Sequence, residues 1–193
     1  HAAPVHAVCF DDSATRLASG SSGGELFVWN LAAESHLRTA FARHPEVAKV
    51  VFSPDGRWIA SCGNDSRNSI VLWDAGTGAQ VAVLHGHTDN VTDVAFHPEG
   101  DVLASCSWDA SVRCWSVPQR GPIGPPRVVP QRCAAISFSP DGQRLAVACR
   151  EDEAGRAAVL LLPVGDTLSV IQSLDHAEDV TDVRRLPLRS HDA

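Results

Sequence analysis

Among the 193 residues there is no methionine, no tyrosine and one lysine, Lys49; the other strongly basic side chains are arginines. This bias fits a G+C-rich coding sequence better than any chemical demand. From the missing methionine, the chain is expected to be an internal segment of something longer. The net charge of −7 is spread along the chain. A nucleic-acid footprint needs clustered Lys and Arg, so nucleic acid is not expected as a partner. No apolar run approaches the roughly 18 residues of a membrane span. "AVLLLPV" (158–164) is too short and carries a proline, and no signal peptide is visible, so no membrane partner is expected. None of the six cysteines forms a C-x-x-C pair, which removes the usual zinc signature. Most lie in apolar runs, where Cys packs as a small hydrophobe. Reduced thiols in an intracellular, cytoplasmic protein are expected. No cofactor, metal or small-molecule substrate is indicated. The Asn64-Asp65-Ser66 sequon matters only in a secreted protein.

What the chain does have is a repeat. Phe10, Phe52, Phe96 and Phe138 recur at steps of 42, 44 and 42. Five residues before each stands Val5, Val47, Val91 or Cys133, and nine after each stands Ser19, Ser61, Ser105 or Val147. Then come Trp29, Trp73, Trp115 and, by aligning "VLLLPV" with "VRCWSV", Leu162. From each of these to the next Val-type anchor is 18 residues, ending at Val180, where "VTDV" recurs. Each unit reads as four short strands rich in β-branched and aromatic residues. "SPDG" (53–56, 139–142) and "HPEG" (97–100) supply turns, with Pro presetting one dihedral and Gly accepting positive φ.

A period near 42 fits the roughly 40–45 residues of one propeller blade. The unit holding Gly86-His87, Ser105, Asp109 and Trp115 resembles WD40-repeat β-propellers in spacing, and the resemblance runs along nearly the whole chain. It implies an all-β WD40 β-propeller segment. The blades fall at about 1–42, 43–86, 87–128 and 129–175, and a further strand (176–193) begins a fifth. Four blades and a strand are fewer than the usual seven-blade ring, so a partial propeller is expected.

Ser, His and Asp together also invite a serine-hydrolase reading, since acyl transfer needs a nucleophile, a base and an orienting acid. No G-x-S-x-G elbow occurs. The resemblance instead makes His87, Ser105, Asp109 and Trp115 a structural hydrogen-bond network. The other units degrade it. His1, Ser19 and Trp29 fit the first, but Gly23 stands at the acid position. Ser61, Asp65 and Trp73 fit the second, with Arg43 at the His position. Val147 and Leu162 leave the fourth without a network.

All length variation falls between the second and third strands, in "GNDSRN" (63–68) and "REDEAGR" (150–156). The resemblance places these hairpins on the top face, where partners dock. Asn64, Arg67, Asn68, Glu151 and Asp152 are therefore candidate contacts, and so is Trp108, expected to point outward as an interface anchor. The residues flanking each Val-type anchor face the same way: Pro4 and His6, Glu46 and Ala48, Asn90 and Thr92, Arg132 and Ala134, Asp179 and Thr181. The mixture suits a protein or peptide partner. "PQRGPIGPPRVVPQR" (118–132) reads as a poorly paired outer edge strand. The expected function is a non-catalytic protein-interaction scaffold in a larger assembly. "GNDSRNSIVLWD" (63–74) resembles a hairpin of microtubule-associated and ciliary WD-repeat proteins. This implies a microtubule-associated assembly at cytoskeleton, cilium or centriole. A signalling or ubiquitin-ligase adaptor is the alternative, although no unit shows a W-D-x-R box.

Overall fold

The computed structural model describes residues 1–32, 38–40, 46–64, 66–150, 157–164 and 172–176, with backbone only for 38–40 and 172–176. Every element in it is a strand. Four antiparallel sheets follow one another along the chain. The first joins β1 (Val5–Phe10), β2 (Arg16–Ser21), β3 (Leu26–Asn30) and β4 (Arg38–Ala40) in that order. The second joins β5 (Lys49–Phe52), β6 (Trp58–Cys62), β7 (Ile70–Asp74) and β8 (Gln80–Leu84). In the third, β9 (Val91–Phe96), β10 (Val102–Ser107) and β11 (Ser111–Ser116) are edged by two short pieces, β12 (Gly121–Pro122) and β13 (Arg127–Val128). The fourth joins β14 (Cys133–Phe138), β15 (Arg144–Cys149), β16 (Ala157–Pro163) and β17 (Gln172–His176). The fifth-unit strand expected after 176 lies outside the described residues, as do Asp65, Arg43, Glu151, Asp152, Asp179 and Thr181.

Local chemistry explains the repeats. Gly56, Gly100 and Gly142 take positive φ (67, 79 and 70°) at the first turn of the second, third and fourth sheets. In the first sheet Ala14 adopts φ 54° at the corresponding turn, which is braced by Asp11 through Ser13, the Arg16 N–H and the Arg16 side chain. The second hairpin also needs one left-handed residue, filled by Gly24, Asn68 and Ala110. Register then aligns the units without reference to sequence: Leu17↔Trp29, Ile59↔Trp73, Leu103↔Trp115 and Leu145↔Leu162 are paired residues. Leu162 therefore does occupy the Trp position. A bulge recurs beside Val5, Val91 and Cys133, tilting each innermost strand alike.

The sheets stack face to face. One face of each is lined by small residues, and the next sheet lays its large ones upon it. Ala7, Ala18 and Val28 meet Val47, Val50, Phe52 and Trp73. Ala60 and Cys62 meet Val91, Val94, Leu103 and Trp115, and Ala104 and Cys106 meet Cys133, Ile136 and Leu162. Burying a side chain of this size contributes about 1.5–3 kcal/mol. Polar ties cross the same seams. Lys49 pairs with the buried Asp93 at 2.7 Å, and Asp93 accepts the Ile136 N–H at 3.1 Å, joining three sheets. Arg16 donates to the Gly56 carbonyl at 2.7 Å while covering the Phe52 ring.

The stacking leaves one face open. Val50, Val94 and Ile136 are buried in their seams, but Val8 at the same register is 61% exposed, and Phe10 is 59% exposed. The four sheets do not close a ring. The Pro-rich stretch is a broken outer edge, as its composition predicts. β12 and β13 each bridge β11 at two residues, and Arg127 ties the stretch to the Pro163 carbonyl of the fourth sheet at 2.6 Å.

Candidate interaction surface

The third sheet carries the complete network. His87 sits on the connection entering β9, Ser105 in β10, Asp109 in the hairpin and Trp115 in β11. Ser105 Oγ accepts the Trp115 indole N–H at 2.8 Å and lies 2.8 Å from His87 Nε2. His87 Nδ1 stands 2.8 Å from Asp109 Oδ2, which also accepts the Thr88 N–H at 3.0 Å. Ser111 donates to Asp109 Oδ1 at 2.6 Å. Burial pulls His87 below its ordinary pKa, outweighing the opposite influence of Asp109. Burial pushes Asp109 upward, but bonds from Ser111, Thr88 and His87 prevail and hold it below the usual carboxylate range. The stable form is thus a neutral imidazole beside a carboxylate. Ser105 is completely buried and its oxygen bonds both ring systems. This is a clip that satisfies polar groups inside a seam.

The first sheet repeats the clip with a substitute that counting from His1 misses. His1 Nε2 lies 2.7 Å from Ser19 Oγ, which accepts the Trp29 indole N–H at 2.8 Å. Gly23 has no side chain for the acid's place, and Glu25 comes nearest to filling it. Its Oε2 accepts the Ala2 N–H at 2.7 Å and stands 3.4 Å from His1 Nδ1 without forming a hydrogen bond to it. Register explains the reach. Leu26 and Val112 hold equivalent places in their sheets, so Glu25 matches Ser111, whose own hydroxyl lies 3.3 Å from His87 Nδ1. In the second sheet the Trp73 indole N–H reaches Ser61 at 2.8 Å.

The hairpins share one rim with the segments entering each innermost strand. The Ser22, Trp108 and Arg150 N–H groups donate to the carbonyls of Pro4, Asn90 and Arg132, at 3.0, 3.0 and 2.8 Å. Asn64 and Arg67 are exposed there; Glu46 and Asn90 are half-buried. Asn68 is the left-handed turn residue of its hairpin, φ 50°, so its conformation serves the turn first. Thr92 faces inward: its Oγ1 lies 3.2 Å from the Cys106 carbonyl and 3.1 Å from the Cys133 carbonyl, spanning two sheets. The Trp108 ring is half-buried where a fully outward position is expected, because two arginines of the fourth sheet lean upon it. The Arg132 and Arg150 guanidinium carbons stand 5.6 and 5.3 Å from its centroid. Arg150 escapes sequence reasoning, although it sits 42 residues after Trp108 at the equivalent place.

Stacked antiparallel sheets of four or five strands with a buried Ser–His–acid–Trp clip and a loop-bearing rim define an open run of β-propeller blades. The chain belongs to the WD domain, G-beta repeat family, which it matches over residues 1–30, 35–74 and 78–116, together more than half its length. It is similar to the Protein LST8 homolog of Drosophila melanogaster, at 32% identity over 37% of this chain and 22% of that protein. It is also similar to Centriole proteome protein 16 of Chlamydomonas reinhardtii, at 39% identity over 30% of this chain and 3% of that protein. DDB1- and CUL4-associated factor 13 of Dictyostelium discoideum matches at 39% identity over 30% of this chain and 12% of that protein. The chain thus spans less than a quarter of each relative's length.

Proposed function

We propose that this chain is a non-catalytic scaffold that holds proteins or peptides on its hairpin rim within a larger assembly. The observation that carries this reading is the state of the complete Ser–His–Asp set found among the described residues. Ser105 is fully buried and engaged by both Trp115 and His87, so no substrate carbonyl can approach it. What remains accessible is a rim of exposed loop side chains on stacked sheets, the arrangement on which binding residues ordinarily sit. WD-repeat relatives support a scaffold at the level of the family. Two finer readings have a relative behind each. A centriolar or ciliary, microtubule-associated setting draws on the similarity to Centriole proteome protein 16. A ligase-adaptor role draws on the similarity to DDB1- and CUL4-associated factor 13. A cytoplasmic setting suits the six free thiols.

The test is cross-linking mass spectrometry on the intact protein in its native assembly, comparing wild type with Trp108→Ala and with Asn64→Ala/Arg67→Ala. Cross-links from the rim to other chains should be lost in the variants while the melting curve stays in place. Unchanged cross-links in both variants, or stoichiometric fluorophosphonate labelling of Ser105, would overturn the reading.

A further inference from the structure

We infer that the rim where the third and fourth sheets meet is a docking site for an acidic protein segment, received on Trp108 by Arg132 and Arg150. The inference rests on the scaffold reading above and adds the chemistry of the partner. Two guanidiniums beside one indole repel each other, and in a chain of net charge −7 such a pair is conspicuous. Among the described residues neither has a carboxylate partner, and both side chains are exposed. The Arg16 guanidinium shows the contrast: it is spent on Asp11 and on a carbonyl of the next sheet.

A second observation points the same way. The Trp108 indole N–H is covered and has no acceptor among the described residues, whereas the indoles of Trp29, Trp73 and Trp115 each reach a serine. An unpaired buried donor is costly to keep, and an acceptor brought by a partner relieves that cost once the protein atoms over the indole edge move aside to admit it. Carboxylates fit all three demands. They pair with planar guanidinium forks, they supply the missing acceptor, and they neutralise the mutual repulsion.

The platform itself is preorganised. Trp108 is fixed through its backbone N–H to the Asn90 carbonyl, and the Arg150 backbone N–H to the Arg132 carbonyl binds the two arginine-bearing segments together. A ligand therefore meets groups whose backbone positions are already set. Nucleic acid is the poorer fit, because two arginines provide no track of cations along which a phosphate chain could run.

The experiment is fluorescence anisotropy with the intact protein and three labelled probes: a short peptide alternating Glu and Ser, the same peptide with Gln for Glu, and an oligouridylate. The Glu peptide should bind about tenfold or more tightly than the Gln peptide, and added salt should weaken it. Arg132→Ala/Arg150→Ala should abolish this preference at an unchanged melting temperature. Arg132→Lys/Arg150→Lys should keep part of it, and Trp108→Phe should weaken it by removing the N–H together with part of the aromatic face. Equal binding of the two peptides, an intact preference in the double alanine variant, or tighter binding of the oligouridylate would overturn the inference. The scaffold reading fails separately. If native cross-links vanish in Trp108→Ala yet persist in the double arginine-to-alanine variant, the rim binds partners but not through acidic chemistry.

Discussion

Truncation of Trp115 provides the sharpest test of how a blade is held. The side chain is 1% exposed and packs in the seam with Leu72 and Leu84 of the preceding sheet and Leu103 of its own. Its indole N–H satisfies Ser105 at 2.8 Å. Trp115→Ala should cost about 3–5 kcal/mol, the range for removing a large core side chain whose site collapses only in part. The fourth sheet provides an internal control, because Leu162 fills the same register position without any hydrogen bond. Trp115→Leu keeps a branched apolar group in the seam and leaves Ser105 its bond to His87, so it should cost about 2–3 kcal/mol, roughly 1 of it the lost hydrogen bond. Urea unfolding followed by far-UV circular dichroism measures both as midpoint shifts at constant slope. An unmoved midpoint for Trp115→Ala would refute the seam assignment. A Trp115→Leu variant as unstable as Trp115→Ala would refute the equivalence of Trp115 with Leu162.

Two further outcomes follow from the buried polar groups. Asp93→Ala strands Lys49 and leaves the Ile136 N–H without its acceptor, so it should cost about 3–5 kcal/mol, whereas Asp93→Leu/Lys49→Met removes both charges and should cost less than Asp93→Ala by the same urea assay. For pH, the folded state holds His87 below its ordinary value of 6.5, so the unfolded chain binds the extra proton first. The stability it contributes is complete above pH 6.5 and is lost as pH falls through the folded value. Asp109, held below 3.8, adds a second loss on further acidification. Thermal melts from pH 8 downward should show the first loss in wild type and less of it in His87→Gln; a melting temperature flat from pH 7 to 5 would contradict the burial of His87.

The strands, turns and seams were legible because each rests on a short local rule applied four times. The alternation in "VTDVAF" sets Val94 and Phe96 toward one neighbour, the bulge beside Val91 brings Val91 to the same seam, and the alanine of "LASC" and "IASC" faces the other. Even Leu162 could be placed, since interval constancy outlives the loss of the indole. Glu25 could not. The acid's position was counted from His1, whereas the real constraint is proximity to the imidazole, and a longer side chain meets it from the far side of the Gly24 turn. Arg150 was hidden for a related reason. Hairpin length drew attention to the residues after it, while its role depends on a ring contributed by the preceding sheet. Asn68 shows that an inserted loop still answers to its turn: two residues were added, and the left-handed position moved to the asparagine.

The exposed face of β1 follows from the same stacking and can be tested against its own repeats. Val8 and Val94 occupy equivalent places on innermost strands, yet Val94 is 1% exposed and Val8 is 61% exposed. If the cost of a charge depends on the sheet opposite and not on the position within the repeat, the two valines must respond differently to the same substitution. Val94→Asp places a carboxylate in an apolar seam and should cost more than about 4 kcal/mol, or abolish folding. Val8→Asp in the 193-residue chain should change stability by no more than about 0.5–1 kcal/mol, because the carboxylate stays in water. Phe10→Asp should behave like Val8→Asp, since Phe10 is 59% exposed on the same face. Equal losses at Val8 and Val94 would mean that β1 is already covered, and the order of the stack would have to be redrawn with a sheet packed against it.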